Sequence, residues 1–114
     1  MTRSVQTQQR FDTLIAELIA ARDRGEASRV YFIQAGQAGP IKIGRAVDPL
    51  ARRKELQSGN HETLYILAAW PGGQAAERAA HRAFKGLHIR GEWFRAEGLL
   101  AAFVAGLMEK ERAA

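Results

Sequence analysis

The chain has 114 residues, no cysteine and a formal net charge of +5. This length fits a single compact domain, and the lack of cysteine excludes disulfide scaffolds, thiolate zinc sites, iron–sulfur clusters and cysteine nucleophiles. No apolar run approaches the roughly 20 residues that a transmembrane helix needs, and we find neither a serine-hydrolase nor a zinc-peptidase motif. We expect a cytoplasmic protein without a secretory signal or a membrane partner.

The excess positive charge lies in the middle third of the sequence. Residues 29–61 contain six basic and two acidic side chains, a net charge of +4, whereas residues 1–28 have a net charge of zero. A localised basic patch is typical of proteins that bind a polyanion, most often nucleic acid. An ordinary solvated basic surface is the alternative interpretation of the same charges.

The first predicted element is an amphipathic helix over residues 5–24, followed by a stop signal at Gly25. Its apolar stripe is too large to remain in water. The stripe therefore packs either on the sheet of its own chain or on a second copy of the chain. We favour packing within the chain, which predicts a monomer; a dimer is the alternative. The stripe consists of Phe11, Leu14, Ile15, Leu18 and Ile19.

Two strands, residues 29–35 and 41–44, then follow around a glycine-rich loop and predict a hairpin. Strand alternation places Tyr31 and Lys42 on one face if the aliphatic side chains between them form the core face. A lysine close to a tyrosine lowers the pKa of the phenol. We therefore expect a depressed pKa for Tyr31. The core-face side chains are Val30, Phe32, Ile41 and Ile43.

The remaining elements complete a small α+β domain. Asp48 and Pro49 open a predicted helix as N-cap and first helical residue. A buried strand over residues 64–70, a helix over 74–84, a short extended piece over 92–94 and a last helix near 99–108 follow. This order predicts a mainly antiparallel three-stranded sheet flanked by helices, with an extra N-terminal helix.

The order and spacing of several short motifs resemble the GIY-YIG nuclease family, and more narrowly its phage-type branch with Lys-Ile-Gly in the second motif. The resemblance covers residues 29–107, so we divide the chain into a helix and linker (1–28) and a nuclease-like domain (29–114). Arg29, Lys42 and Leu56 stand where many members have glycine, tyrosine and histidine. The matching elements are Arg29-Val30-Tyr31, Lys42-Ile43-Gly44, Asp48-Pro49, Arg52, Leu56-Gln57, Glu77 with His81, and Glu92-Trp93-Phe94.

This resemblance implies a metal-dependent endonuclease that hydrolyses phosphodiester bonds in DNA. It implies one Mg²⁺ or Mn²⁺ ion on Glu77, and Tyr31 as the general base or as the group that orients the attacking water. Arg52 would hold the scissile phosphate, and Lys42 would help to activate the tyrosine. His81 would donate a proton to the leaving group or contact the metal through water, while helix packing is an equally open role for it.

Three further basic residues, Arg45, Arg53 and Lys54, are candidates for contacts along the nucleic-acid backbone. We interpret Glu92 as a surface carboxylate, with positioning of the active site as the alternative. No separate DNA-binding motif occurs in the sequence, which favours single-stranded or structure-dependent substrates, or recruitment by a partner protein, and leaves RNA open.

Two interpretations from other classes compete with the nuclease. One is a non-catalytic nucleic-acid-binding module that retains the GIY-YIG fold, motivated by the altered motif positions. The other is an interaction protein whose basic face binds an acidic protein.

Overall fold

A computed structural model of the chain describes residues 4–113. Four α-helices and five strands form an α+β domain over this range. In chain order they are α1 (Val5–Asp23), β1 (Arg29–Ala35), β2 (Ile41–Ala46), α2 (Pro49–Gln57), β3 (Leu64–Pro71), α3 (Gln74–Ala83), β4 (His88–Arg90), β5 (Trp93–Phe94) and α4 (Gly98–Ala113), with a 3₁₀ turn at Lys85–Leu87 between α3 and β4.

The strands form one antiparallel sheet in the order β3-β1-β2-β5-β4. The predicted three strands are its long members, whereas β4 and β5 extend the sheet beyond β2. The predicted strand count is therefore wrong by two, because strands of three and two residues are too short to show a period. The extended piece predicted at residues 92–94 corresponds to β5.

Strand alternation divides the side chains of the hairpin between the two faces as predicted. Val30 and Phe32 lie in the main core, whereas Tyr31 and Ile33 belong to a smaller cluster on the opposite face. Lys42 pairs with Ile33 across β1 and β2 and so lies on the face of Tyr31. Helices α1, α3 and α4 supply the main core, and α2 covers the smaller cluster through Leu56.

Helix α1 packs on its own chain, as predicted, but its stripe is only partly covered, because Ile19 is 44% exposed. Ser4 caps it by accepting a hydrogen bond from the Thr7 amide, and Leu14 and Leu18 are buried in the main core. Asp48 caps α2 in the same way, with Pro49 in the first turn. Within the described range, no helix is both long and apolar enough to cross a membrane.

Candidate active site at the edge of β2

The outer edge of β2 is where two distant parts of the chain meet. β2 pairs with β5 at Ile41 and Lys42, and the Ile43 amide donates to the Glu92 carbonyl at 2.9 Å. The Ile43 carbonyl lies 2.9 Å from Nε2 of His81 on α3. These two contacts hold α3 and the turn before β5 against the same point of β2.

Three potential metal ligands gather at this point. The ligand atoms of Glu77, His81 and Glu92 all lie within 4.8 Å of one another, and each side chain is partly buried. Glu77 and His81 are one turn apart on α3, so they share one side of the helix. Small buried alanines on the adjoining side let α3 pack closely on the sheet, which brings this pair to β2.

Two cations hold the carboxylates of this group. Lys42 Nζ lies 2.8 Å from Glu92 Oε1, and Arg45 Nε lies 3.6 Å from Glu77 Oε1. The side chain of Lys42 is 12% exposed and that of Glu92 38%, so the ammonium is largely buried while the carboxylate remains open to water. Arg45, assigned from the sequence to the nucleic-acid backbone, is thus in contact with a candidate metal ligand.

Tyr31 lies beside this group on the face covered by α2 and is 1% exposed. The Arg52 guanidinium interacts electrostatically with the Tyr31 hydroxyl and favours its ionised form. Burial raises the pKa of Tyr31 above its ordinary value, and the charges of Glu92 and Glu77 add to this, while Arg52 acts in the opposite direction. The expected depression of this pKa is therefore wrong for the protein's own groups, because the effect of burial outweighs that of Arg52.

Residues 28–108 match the sequence profile of the T5orf172 domain. The chain belongs to the T5orf172 domain family. This phage-associated domain occurs in the context of GIY-YIG and HNH-like endonucleases, and it is commonly associated with nucleases. No curated protein and no solved structure matches the chain significantly. The matched range begins just before β1 and ends in α4, so it contains every residue of the site.

His81, the histidine of this site in the T5orf172 domain, has one ring nitrogen engaged. A carbonyl oxygen can only accept, so the contact with Ile43 requires the hydrogen on Nε2 of His81. In this tautomer the lone pair lies on Nδ1, the ring nitrogen that could bind a metal. The same ring packs against Phe94 at a centroid distance of 5.1 Å, so His81 also makes a packing contact.

The predicted site residues thus fall into two groups. One group lies around the edge of β2 and the facing side of α3, and it contains Tyr31, Lys42, Arg45, Arg52, Glu77 and His81. Arg53 and Lys54 lie on α2 outside the carboxylate–histidine group.

The structure adds Glu92, interpreted from the sequence as a surface carboxylate, to the group. Its signal in the sequence was its place in the Glu92-Trp93-Phe94 element, and positioning of the active site was the alternative role given to it above.

Proposed function

We propose that the chain is a GIY-YIG-type endonuclease of the phage-associated branch, with DNA as its substrate. The observation that carries this proposal is the group of Glu77, His81 and Glu92 within 4.8 Å, near a buried tyrosine whose hydroxyl interacts with Arg52. A phosphodiesterase needs charge neutralisation at the phosphate and an oriented water, and this arrangement offers the groups for both. Membership of a nuclease-associated domain family supports the same activity.

The donor set fits a hard divalent cation such as Mg²⁺ or Mn²⁺. Carboxylate oxygens are the ligands that these ions prefer, and an imidazole lone pair suits Mn²⁺ in particular. Glu77 would be the principal ligand, with Glu92 and His81 beside it. When bound, the ion supplies charge neutralisation at the phosphate and lowers the pKa of a bound water.

The remaining roles belong to side chains of the chain itself. Arg52 binds a non-bridging oxygen of the scissile phosphate through the nitrogens that Tyr31 and Glu55 leave available. Tyr31 is a neutral phenol at pH 7, since burial raises its pKa, so at this pH its hydroxyl orients the attacking water. It becomes a general base as the phenol loses its proton at alkaline pH.

Lys42 and Arg45 would bind the DNA phosphates in addition to the carboxylates that they contact now. Both are cations that now neutralise Glu92 and Glu77, and a divalent ion on those carboxylates would take their place. Lys42 and Arg45 would then be available to bind phosphate oxygens of the DNA. Arg53 and Lys54 would extend this contact along the backbone of a single strand, and a recruiting partner protein would supply any further specificity.

The Glu77→Gln variant tests this proposal, with Glu97→Gln as the matched control because Glu97 pairs with Arg95 and is absent from the group of candidate metal ligands. Labelled single- and double-stranded DNA and RNA are incubated with each protein in Mg²⁺, Mn²⁺ or a chelator. We expect cleavage by the wild type and the control in metal only, and its loss of at least 10²-fold in Glu77→Gln. Unchanged cleavage by Glu77→Gln would contradict the proposed site.

One observation favours a second candidate, the non-catalytic nucleic-acid-binding module. Each carboxylate of the site already has a cationic partner within 4.0 Å, as in a group of purely structural ion pairs. Salt-dependent binding of DNA by the wild type, without cleavage in either metal, would establish this alternative.

A further inference from the structure

Two large apolar side chains are exposed where β2 passes into α2. Val47 is 71% exposed and Leu50 is 64% exposed. They flank Asp48 and Pro49, which begin the helix. Because the Asp48 side chain accepts from the Ala51 amide and proline restricts its own backbone, this segment presents both side chains from a fixed position.

This apolar pair, Val47 and Leu50, is surrounded in the chain by the cations of the candidate site. Arg45, two residues before Val47, contacts Glu77. Leu50 shares a face of α2 with Arg53 and Lys54, which follow it by three and four residues. Arg52, which precedes Arg53 on α2, interacts with the Tyr31 hydroxyl.

The positive charge of this segment indicates which class of ligand it binds. With a net charge of +4 over residues 29–61, the surface favours a polyanion over an ordinary apolar protein segment. A nucleic acid combines phosphates, which suit the arginines, with base faces and thymine methyl groups, which suit aliphatic side chains. Unpaired bases present those faces without the cost of opening a duplex.

We propose that Val47 and Leu50 contact the nucleobases next to the cleaved phosphodiester bond, and so make the site selective for strands with accessible bases. This inference rests on the proposed function, because it needs DNA bound at the β2 edge. It assigns base contacts to the apolar pair and leaves the phosphate contacts to the arginines.

The test compares a double variant, Val47→Ser with Leu50→Ser, with a control double variant, Val5→Ser with Ile19→Ser. The control residues are also exposed, at 73% and 44%, but lie on α1 outside the basic segment. Binding is measured in a chelator for two labelled single strands of equal length, one of mixed sequence and one abasic. All four positions are exposed, so both variants are expected to fold as the wild type does, which circular dichroism checks.

We expect the Val47/Leu50 variant to bind the mixed-sequence strand about tenfold more weakly than the wild type and the abasic strand equally well. The slope of affinity against salt should not change, because no phosphate contact is removed. The α1 control should bind both strands as the wild type does.

Equal affinity of the Val47/Leu50 variant and the wild type for the mixed-sequence strand would overturn the inference. An equal loss on the abasic strand would overturn it as well, since the pair would then act on the backbone. Both results leave the proposed function standing. A wild-type protein that binds neither strand would instead contradict the proposed function, and this inference with it.

Discussion

Tyr31 lies directly opposite Gly44 in the β1–β2 pair, and its ring occupies the space that a side chain at position 44 would need. A Cβ atom added to Gly44 would lie 2.9 Å from Cε1 of Tyr31 and closer still to the hydroxyl end of the ring. The glycine of the second motif therefore makes room for the tyrosine of the first. The two short motifs act as one structural unit.

The Gly44→Ala variant should accordingly lose stability and activity together. Overpacking a filled site costs about 1–3 kcal/mol, and here the ring that must move carries the hydroxyl of the candidate site. Chemical denaturation measures the loss, and Gly106→Ala on α4 is the control, since a Cβ there meets nothing within 4 Å. The control should gain about 0.5–1 kcal/mol, because alanine is favoured over glycine inside a helix. Wild-type stability in Gly44→Ala would show that the ring has free space to move into.

Removal of the Tyr31 hydroxyl should affect turnover far more than folding. We expect Tyr31→Phe to lower the cleavage rate by about 10²-fold or more, the scale of a lost acid–base or water-orienting group. The ring still packs against Ile33 and Leu64, so the thermal midpoint should change little. Tyr65→Phe, at the other tyrosine of the chain, is the control and should cleave as the wild type does. A loss of less than threefold in Tyr31→Phe would assign the residue to packing alone.

The raised pKa of Tyr31 also predicts how stability depends on pH. The unfolded chain loses this proton near the ordinary value of 10.0, before the folded protein does. The contribution of Tyr31 to stability is therefore fully present below pH 10.0 and is lost as the pH rises toward the folded-state value. Urea denaturation between pH 8 and 11 should show a steeper decline for the wild type than for Tyr31→Phe. Parallel declines would mean that the buried hydroxyl titrates as it does in the unfolded chain.

Arg52 and Arg53 are adjacent but should have different kinetic effects. The Arg52 guanidinium interacts with the Tyr31 hydroxyl, whereas Arg53 points about 100° away around α2. Arg52→Ala should lower the cleavage rate by about 10²-fold or more with little change in DNA affinity. Arg53→Ala should weaken binding and reduce the salt slope by about one, as expected for one lost phosphate contact. Equal kinetic defects in single-turnover assays would contradict this assignment.

Periodicity was sufficient to predict the parts of the fold that depend on local pattern. The stripe of α1 and the two faces of the β1–β2 hairpin follow from spacing alone, because burial repeats every 3.6 or every two residues. β4 escaped this reasoning because its three residues are all exposed and so carry no burial pattern. The predicted elements are accordingly most accurate where the segments are long and half-buried.

The sequence predicts which residues form the candidate site better than it predicts their pKa values and ion pairs. Glu77 and His81 are neighbours by helical spacing, so their pairing could be read from the sequence. The position of Glu92 depends on its contacts with β2. Its ion-pair partner there, Lys42, lies 50 residues earlier in the sequence. The pKa of Tyr31 depends on burial beneath α2 and on two carboxylates from other elements, which no local pattern encodes.

The Lys42–Glu92 pair has a spectroscopic consequence. Nζ of Lys42 lies 5.8 Å from the ring centroid of Trp93, one of two tryptophans in the chain, so an ammonium charge sits over this indole while the pair is intact. A cation that binds Glu92 competes with Lys42 and changes the electric field at the ring, to which indole emission responds. Trp70, whose indole nitrogen donates to the Leu18 carbonyl on α1, can be replaced by phenylalanine to leave a single emitter. Trp93 then serves as an unlabelled fluorescent reporter at the edge of β2, suited to stopped-flow mixing with Mg²⁺ or Mn²⁺.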